Sequence, residues 1–203
     1  MQRSRVVDFD RERFESACAE LLRLASHDGP PQVIVGIRTG GLHVANAMAK
    51  ACGEGLTVLP LTCRRPSSRY KPGLPAIKDL VARLPRPVLD RLRMIEHALL
   101  TRRPPSGRRE GYHFDAAELA CVEAWAATAG NGISVLVVDD AVDSGTTLSL
   151  VLEAVQRLMP AARIRSAALT VTTAQPLVTP DYALYSRQLC RFPWSLDAKQ
   201  PAA

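Results

Sequence analysis

The sequence predicts an α/β domain built on a parallel sheet and interrupted by a helical insertion, and three observations lead there. Short continuous apolar runs alternate with amphipathic helical stretches in the first third of the chain and again in the last third. That is the pattern of strand–helix–strand units with right-handed crossovers. From about residue 76 to 130 no strand signal appears, only helical periodicity punctuated by Pro85, Pro87, Pro104, Pro105 and Gly107. Finally, one strand in each strand-rich part runs straight into a loop of Gly, Ser and Thr, as expected where ligands sit beyond the carboxyl ends of strands.

Each element can be justified in turn. Asp10 is placed to cap a helix reaching about Ala25, with Phe14, Ala17, Leu21 and Leu24 on one face. "QVIVGI" (32–37) reads as a buried strand, followed by "RTGG", a helix from about Leu42 to Ala51, and a second strand, "LTVLPL" (56–61). "RRPSSRYKPGLP" (64–75) is rich in turn formers and charge, so an exposed loop is expected. Helical stretches then fit about 76–83, 87–101 and 115–129. Strand pattern returns with "ISVLVV" (133–138), a helix from about Thr147 to Leu158, and "IRSAALTV" (164–171). After "PDYALYS" the tail "RQLCRFPWSLD" is expected to be irregular. Residues 1–203 therefore read as one domain, with 76–130 inserted within it.

Composition narrows the function classes. With 47% hydrophobic residues in 203 the chain can bury a real core. No apolar run approaches the roughly 20 residues of a membrane span. The opening "MQRSRVVDFDRERFES" lacks a signal peptide's apolar stretch, so a cytoplasmic location is expected. Five cysteines (Cys18, Cys52, Cys63, Cys121, Cys190) form no C-x-x-C pair and the four histidines show no ligand spacing, which favours buried or incidental thiols over a zinc site. Residues 64–109 hold 13 of the 26 Lys and Arg against three acids (Asp79, Asp90, Glu96), giving +10 within a chain of net charge +6. Such a block suits nucleic acid, a polyanionic small substrate or simply a solvated surface.

The richest stretch is "VLVVDDAVDSGTT" (135–147): a buried-looking strand ending in three acids, then small hydroxyl residues. Backbone N–H groups at a helix start, concentrated by a turn containing Gly145, make an anion site, and Ser144, Thr146 and Thr147 can add hydroxyl donors. Asp139 and Asp140 can hold vicinal hydroxyls or the water shell of Mg²⁺. A ribose 5-phosphate with a metal-bound anion nearby satisfies both halves. A phosphate-receiver domain would place its paired acids near the N-terminus. A purely structural loop would leave three acids repelling one another.

These 13 residues resemble the phosphoribosyl pyrophosphate (PRPP) motif of the type I phosphoribosyltransferases, and "VIVGIRTGGLHVA" (33–45) resembles the family's pyrophosphate loop. The resemblance implies a Rossmann-like parallel-sheet core with a C-terminal hood, and Mg²⁺-dependent transfer of ribose 5-phosphate from PRPP to a nitrogen of a nucleobase. It implies that Asp139 and Asp140 bind the ribose hydroxyls and the metal, directly or through water, and that Ser144, Gly145, Thr146 and Thr147 wrap the 5-phosphate. Arg38, Thr39 and Gly40 would meet pyrophosphate, with Arg64 and Arg65 as further basic contacts and Ser68, Arg69, Tyr70 and Lys71 in the mobile loop. Family members often carry a strained peptide at the position of Arg38–Thr39. Asp143 matches the 6-oxopurine branch, where it is assigned to protonation chemistry at the base, and "FPWSLD" (192–197) resembles that branch's C-terminal Pro-Trp. Leu189 departs from the pattern, standing where an aromatic should stack on the purine; Tyr182, Tyr185 and Phe192 are the nearby alternatives. PRPP, a small nucleobase-like acceptor and further copies of the chain are the expected partners. An RNA-binding, nucleotide-sensing regulator on the same fold is the alternative, though Tyr70 is the only aromatic between 64 and 109.

Overall fold

The structure, a computed structural model, describes residues 6–53, 55–64 and 111–194. The helices expected at 76–83 and 87–101 lie outside the described residues, as do Arg65, Ser68, Arg69, Tyr70 and Lys71. In chain order the elements are β1 (Val6–Asp8), α1 (Arg11–Ala25), β2 (Val33–Ile37), α2 (Gly40–Cys52), β3 (Thr57–Leu61), β4 (Cys63–Arg64) and β5 (His113–Phe114). Then come α3 (Ala116–Thr128), β6 (Ser134–Val142), α4 (Thr146–Leu158), β7 (Arg163–Val171), β8 (Tyr182–Ser186) and β9 (Leu189–Arg191).

Five strands form one parallel sheet in the order β3-β2-β6-β7-β8. Every residue of β2 is buried, as required of a central strand covered on both faces. Side chains alternate between the two covering layers. Ile34, Leu136, Val138, Ala167 and Leu169 face α1 and α2, meeting Phe14, Leu21, Val44 and Met48. Val33, Val35, Val135, Val137 and Ala168 face the other way, toward Val122 of α3 and Leu148, Val151 and Val155 of α4. Burying one such Val, Leu or Ile side chain contributes about 1.5–3 kcal/mol, so the two layers together supply the main stabilisation.

The order of strands places the site. After β2 the chain crosses outward to β3, whereas β6 lies on the opposite side of β2. Loops leaving β2 and β6 at their carboxyl ends therefore diverge, opening a crevice at the switch point.

Five strands, β1, β4, β5, β8 and β9, were absent from the expectation. β8 completes the sheet, and the tail from Arg187, expected to be irregular, contains β9, which pairs in parallel with β1, Val6 opposite Leu189 and Asp8 opposite Arg191. Arg191 and Asp8 also form an ion pair. Three-residue strands joined across the whole chain carry no local periodicity, so only tertiary pairing reveals them. Antiparallel β4 and β5 bring Cys63 opposite Phe114 and Arg64 opposite His113. β6 is also longer than expected and carries Asp139 and Asp140 inside the strand.

Candidate functional site

The four helix starts among the described residues fall into two kinds. Asp10 caps α1 by accepting from the Arg13 N–H at 2.8 Å, and Asp115 caps α3 by accepting from the N–H groups of Ala117 and Glu118 at 3.1 and 3.2 Å. The starts of α2 and α4 have Thr39 and Gly145 at the cap, no side-chain cap bond and no acid in the first turn. These two helices begin where the diverging loops leave β2 and β6. The cap residues therefore offer no side-chain acceptor to the first N–H groups, although the Ser144 hydroxyl accepts from the Thr146 N–H at 3.4 Å, and the positive end of each helix dipole faces the crevice.

Glycine is what allows this geometry. Gly145 has φ +76°, and a Cβ there would lie 2.8 Å from the backbone N and O of Val178. The Leu177 N–H donates to the Ser144 carbonyl at 2.8 Å, tying the loop to that neighbouring segment. At the other helix, a Cβ on Gly40 would collide with the Asp140 carboxylate, and one on Gly41 would meet Asp139 Cα at 2.8 Å. So α2 packs directly on the end of β6, bringing the two motifs into contact.

The crevice has a volume of about 630 Å³ and is lined by Arg38, Thr39, Gly40, Arg64, Asp139, Asp140 and Thr147 among the expected residues. Ser144, Thr146 and Asp143 lie beside it. The Ser144 hydroxyl donates to Thr146 Oγ1 at 3.2 Å, and Thr146 is buried. Asp143 and Gly145 border a small recess that shares Asp139, Ala141 and Thr147 with the crevice. The Arg38–Thr39 peptide bond is cis.

Asp140 is the most constrained of the acids. Its carboxylate accepts from the Ala141 N–H at 3.0 Å, takes the indole N–H of Trp194, and rests against Gly40 at the start of α2. Burial pushes its carboxyl above the ordinary range; hydrogen bonds from Asp139, the backbone and Trp194 pull the other way without prevailing.

Several lining or supporting residues were not anticipated. Thr62, Cys63, Asp115 and Glu118 join the crevice wall. Glu118 is paired with Arg38 at 3.0 Å. Thr172 donates its hydroxyl to Asp143 Oδ1 at 3.1 Å. Trp194 stacks on His43 and Phe192, with centroids 4.5 and 5.0 Å apart, while reaching Asp140. "DAAE" at 115–118 has the spacing of a helix start, but nothing local indicates that it faces Arg38. The rings considered for base stacking are engaged elsewhere: the Tyr182 hydroxyl donates to Asp28 at 2.7 Å, Tyr185 meets the edge of Phe9, and Phe192 stacks between Phe9 and Trp194. Among the described residues no aromatic lines the crevice.

An α/β core with two adjacent strand-end loops prepared for anions defines a class of phosphate-ligand proteins. Residues 9–199 match the phosphoribosyl transferase domain model, so the chain belongs to that family. It is similar in fold to a purine phosphoribosyltransferase from Pyrococcus horikoshii, at 21% identity and TM-score 0.57 over 97% of this chain and 96% of that one. A Helicobacter pylori xanthine-guanine-hypoxanthine phosphoribosyltransferase is 16% identical, with TM-score 0.56 over 95% of each chain. A Neisseria gonorrhoeae hypothetical protein with bound ppGpp is 13% identical, with TM-score 0.58 over 96% of this chain and 91% of that one. No curated protein matches. No helix among the described residues is long and apolar enough to cross a membrane.

Proposed function

We propose that this protein transfers ribose 5-phosphate from PRPP to a ring nitrogen of a 6-oxopurine, releasing pyrophosphate. The observation that carries the reading is the contact of the two loops: residues 38–40 and 139–147 meet at one crevice, each at an uncapped helix start. In this reading Ser144 to Thr147 hold the 5-phosphate through the α4 N–H groups and hydroxyls. Asp139 and Asp140 take the ribose hydroxyls, and Arg38, Thr39, Gly40 and Arg64 take pyrophosphate. Arg65 and the Ser68–Lys71 loop are assigned to pyrophosphate and to covering the site on the family resemblance alone. Residues 1–203 are read as one domain, with 76–130 as an insertion, on the loss and return of strand pattern in the sequence.

Mg²⁺ fits the donor set. No group of three or more potential metal-ligating side chains occurs among the described residues, but two adjacent carboxylates line the crevice. Mg²⁺ is commonly held by one or two carboxylates together with water and substrate phosphates, and Asp139 with Asp140 offers that arrangement. When bound it would neutralise charge on the departing pyrophosphate.

The chain's own residues account for the rest. As the bond from C1 to pyrophosphate breaks and the bond to the base nitrogen forms, positive charge develops on the ribose and negative charge on the leaving group. In this reading Arg38 and the N–H groups at the start of α2 stabilise that anion. Asp143 is the proton-handling group at the base, oriented by the Thr172 hydroxyl. Asp143 and the Pro193-Trp194 pair support the 6-oxopurine choice over other bases.

A panel of hypoxanthine, guanine, xanthine, adenine, uracil and orotate, incubated with PRPP and Mg²⁺, tests this reading. The expected result is pyrophosphate released in step with a 6-oxopurine nucleotide. Release with no base of the panel, or turnover confined to adenine or a pyrimidine, would refute it.

A further inference from the structure

Arg38 is a long side chain with 47% of its surface exposed, at the edge of a site proposed to bind a highly charged ligand. Unrestrained, it would lose considerable rotamer freedom whenever it engaged an anion. It is not unrestrained. Its backbone N–H donates to the Leu61 carbonyl at 3.1 Å, and its Nε lies 3.0 Å from Glu118 Oε1. Glu118 is itself held: its other oxygen accepts from the Thr62 N–H at 2.6 Å, its own N–H donates to Asp115, and only 16% of its side chain is exposed. One carboxylate from α3 therefore grips both the end of β3 and the arginine that follows β2.

A carboxylate lining an anion site normally weakens the anion by repulsion. Here one oxygen accepts from the Thr62 N–H and the other is ion-paired with Arg38, so its charge is largely compensated before any ligand arrives. Pairing on the Nε side of the guanidinium leaves its terminal nitrogens as donors for a ligand.

We propose that Glu118 is a positioning residue for pyrophosphate: it fixes Arg38 through Nε and so preorganises the guanidinium fork toward the ligand. This rests on the reading of Arg38 as a pyrophosphate contact, and it gives the α3 segment a part in the chemistry.

Titration calorimetry with pyrophosphate and, separately, ribose 5-phosphate, both with Mg²⁺, tests the inference on wild type, Glu118→Ala, Arg38→Ala and the double variant. Glu118→Ala should weaken pyrophosphate about tenfold, the size of one ordered charged hydrogen bond. It should leave ribose 5-phosphate within about twofold. In the Arg38→Ala background it should cost nothing further, since its effect acts through Arg38. Glu118→Gln keeps an acceptor of the same reach and should lose less than Glu118→Ala; it also stands in if the alanine variant folds poorly. Tighter pyrophosphate binding in Glu118→Ala would show a competitor rather than a support. Equal losses for both ligands would show a purely structural role, and either result overturns the inference. If Arg38→Ala weakens pyrophosphate and Glu118→Ala does not, the inference alone fails. If Arg38→Ala leaves pyrophosphate unchanged, the assignment of Arg38 fails and takes the inference with it.

Discussion

At the β6 end of the crevice the proposed ligand contacts fall within residues 139–147 and are held largely by their immediate neighbours: the Asp140 N–H on Asp139, the Ala141 N–H on Asp140, Ser144 on Thr146. At the β2 end the corresponding group, Arg38, is held by Glu118 of α3, with the Thr62 N–H sharing the same carboxylate. Both ends present an uncapped helix start. The contacts proposed for ribose 5-phosphate thus come from one strand–turn–helix unit, braced from outside by Trp194, Thr172 and Leu177, whereas the proposed pyrophosphate end draws its support from segments far apart in the chain. Substitutions within the first should act on one ligand group steeply. Those at the second should spread through supporting residues and act more gently.

The steepest test is Gly145→Val. It places a β-branched residue at φ +76° and drives its Cβ into the backbone of Val178. PRPP affinity should fall by about 100-fold or more, the equivalent of losing several charge-assisted hydrogen bonds. The far-UV circular dichroism should stay that of an α/β protein, because the sheet and both covering layers lie outside the loop. Unchanged affinity by calorimetry would remove the phosphate from this loop.

The same contrast explains what could be read from sequence. The strand "ISVLVV", the acidic turn and the helix after it are contiguous, so their periodicity and chemistry survive in one dimension. The parallel core, α1, α2 and α4 were legible for the same reason. Trp194 on Asp140, Thr172 on Asp143 and Glu118 on Arg38 were not, because each is a contact between elements that only the folded sheet brings together. β1 and β9 were hidden likewise: "VVD" and "LCR" mean little until they pair across the length of the chain. Leu189, noted for its missing ring, turns out to be the residue opposite Val6 in that pairing.

Asp143→Asn acts on rate rather than on affinity, because it keeps the shape of the loop and removes the carboxyl group. The chemical step on the best acceptor should slow by about 10²–10⁴, with PRPP affinity largely retained. Rapid-quench kinetics separates the outcomes: loss of PRPP binding would make Asp143 a loop-shaping residue, and normal turnover would deprive it of a proton role. Thr172→Val should show a weaker version of the same rate defect, as it removes only the hydroxyl that orients the carboxylate.

Trp194→Phe probes the long-range support from the opposite side. The ring stack on His43 and Phe192 is kept and the indole N–H to Asp140 is lost. Hydrogen bonds to charged groups are worth about 1.5–3 kcal/mol, so PRPP affinity should weaken by about tenfold. A loss as steep as that of Gly145→Val would mean that the C-terminal aromatic cluster holds the whole loop rather than one carboxylate.

The gentlest expected effect concerns the stability of the ligand-free protein in chelator. Burial raises the Asp140 carboxyl above its ordinary value of 3.8 in the folded protein. Between that value and the raised one, the folded state therefore binds more protons than the unfolded state, and stability falls as pH rises through this window. Asparagine does not titrate and is nearly the same shape. The difference in Tm, Asp140→Asn minus wild type, should therefore grow as pH rises through the folded carboxyl's titration and level off above it. Any constant offset reflects the altered hydrogen bonds to Ala141 and Trp194, so the slope is the diagnostic quantity. A difference independent of pH would show that the Trp194 N–H, the Ala141 N–H and the start of α2 together compensate the buried charge fully. A difference that shrinks as pH rises would mean they overcompensate it, making Asp140 a stabilising anion in the empty site.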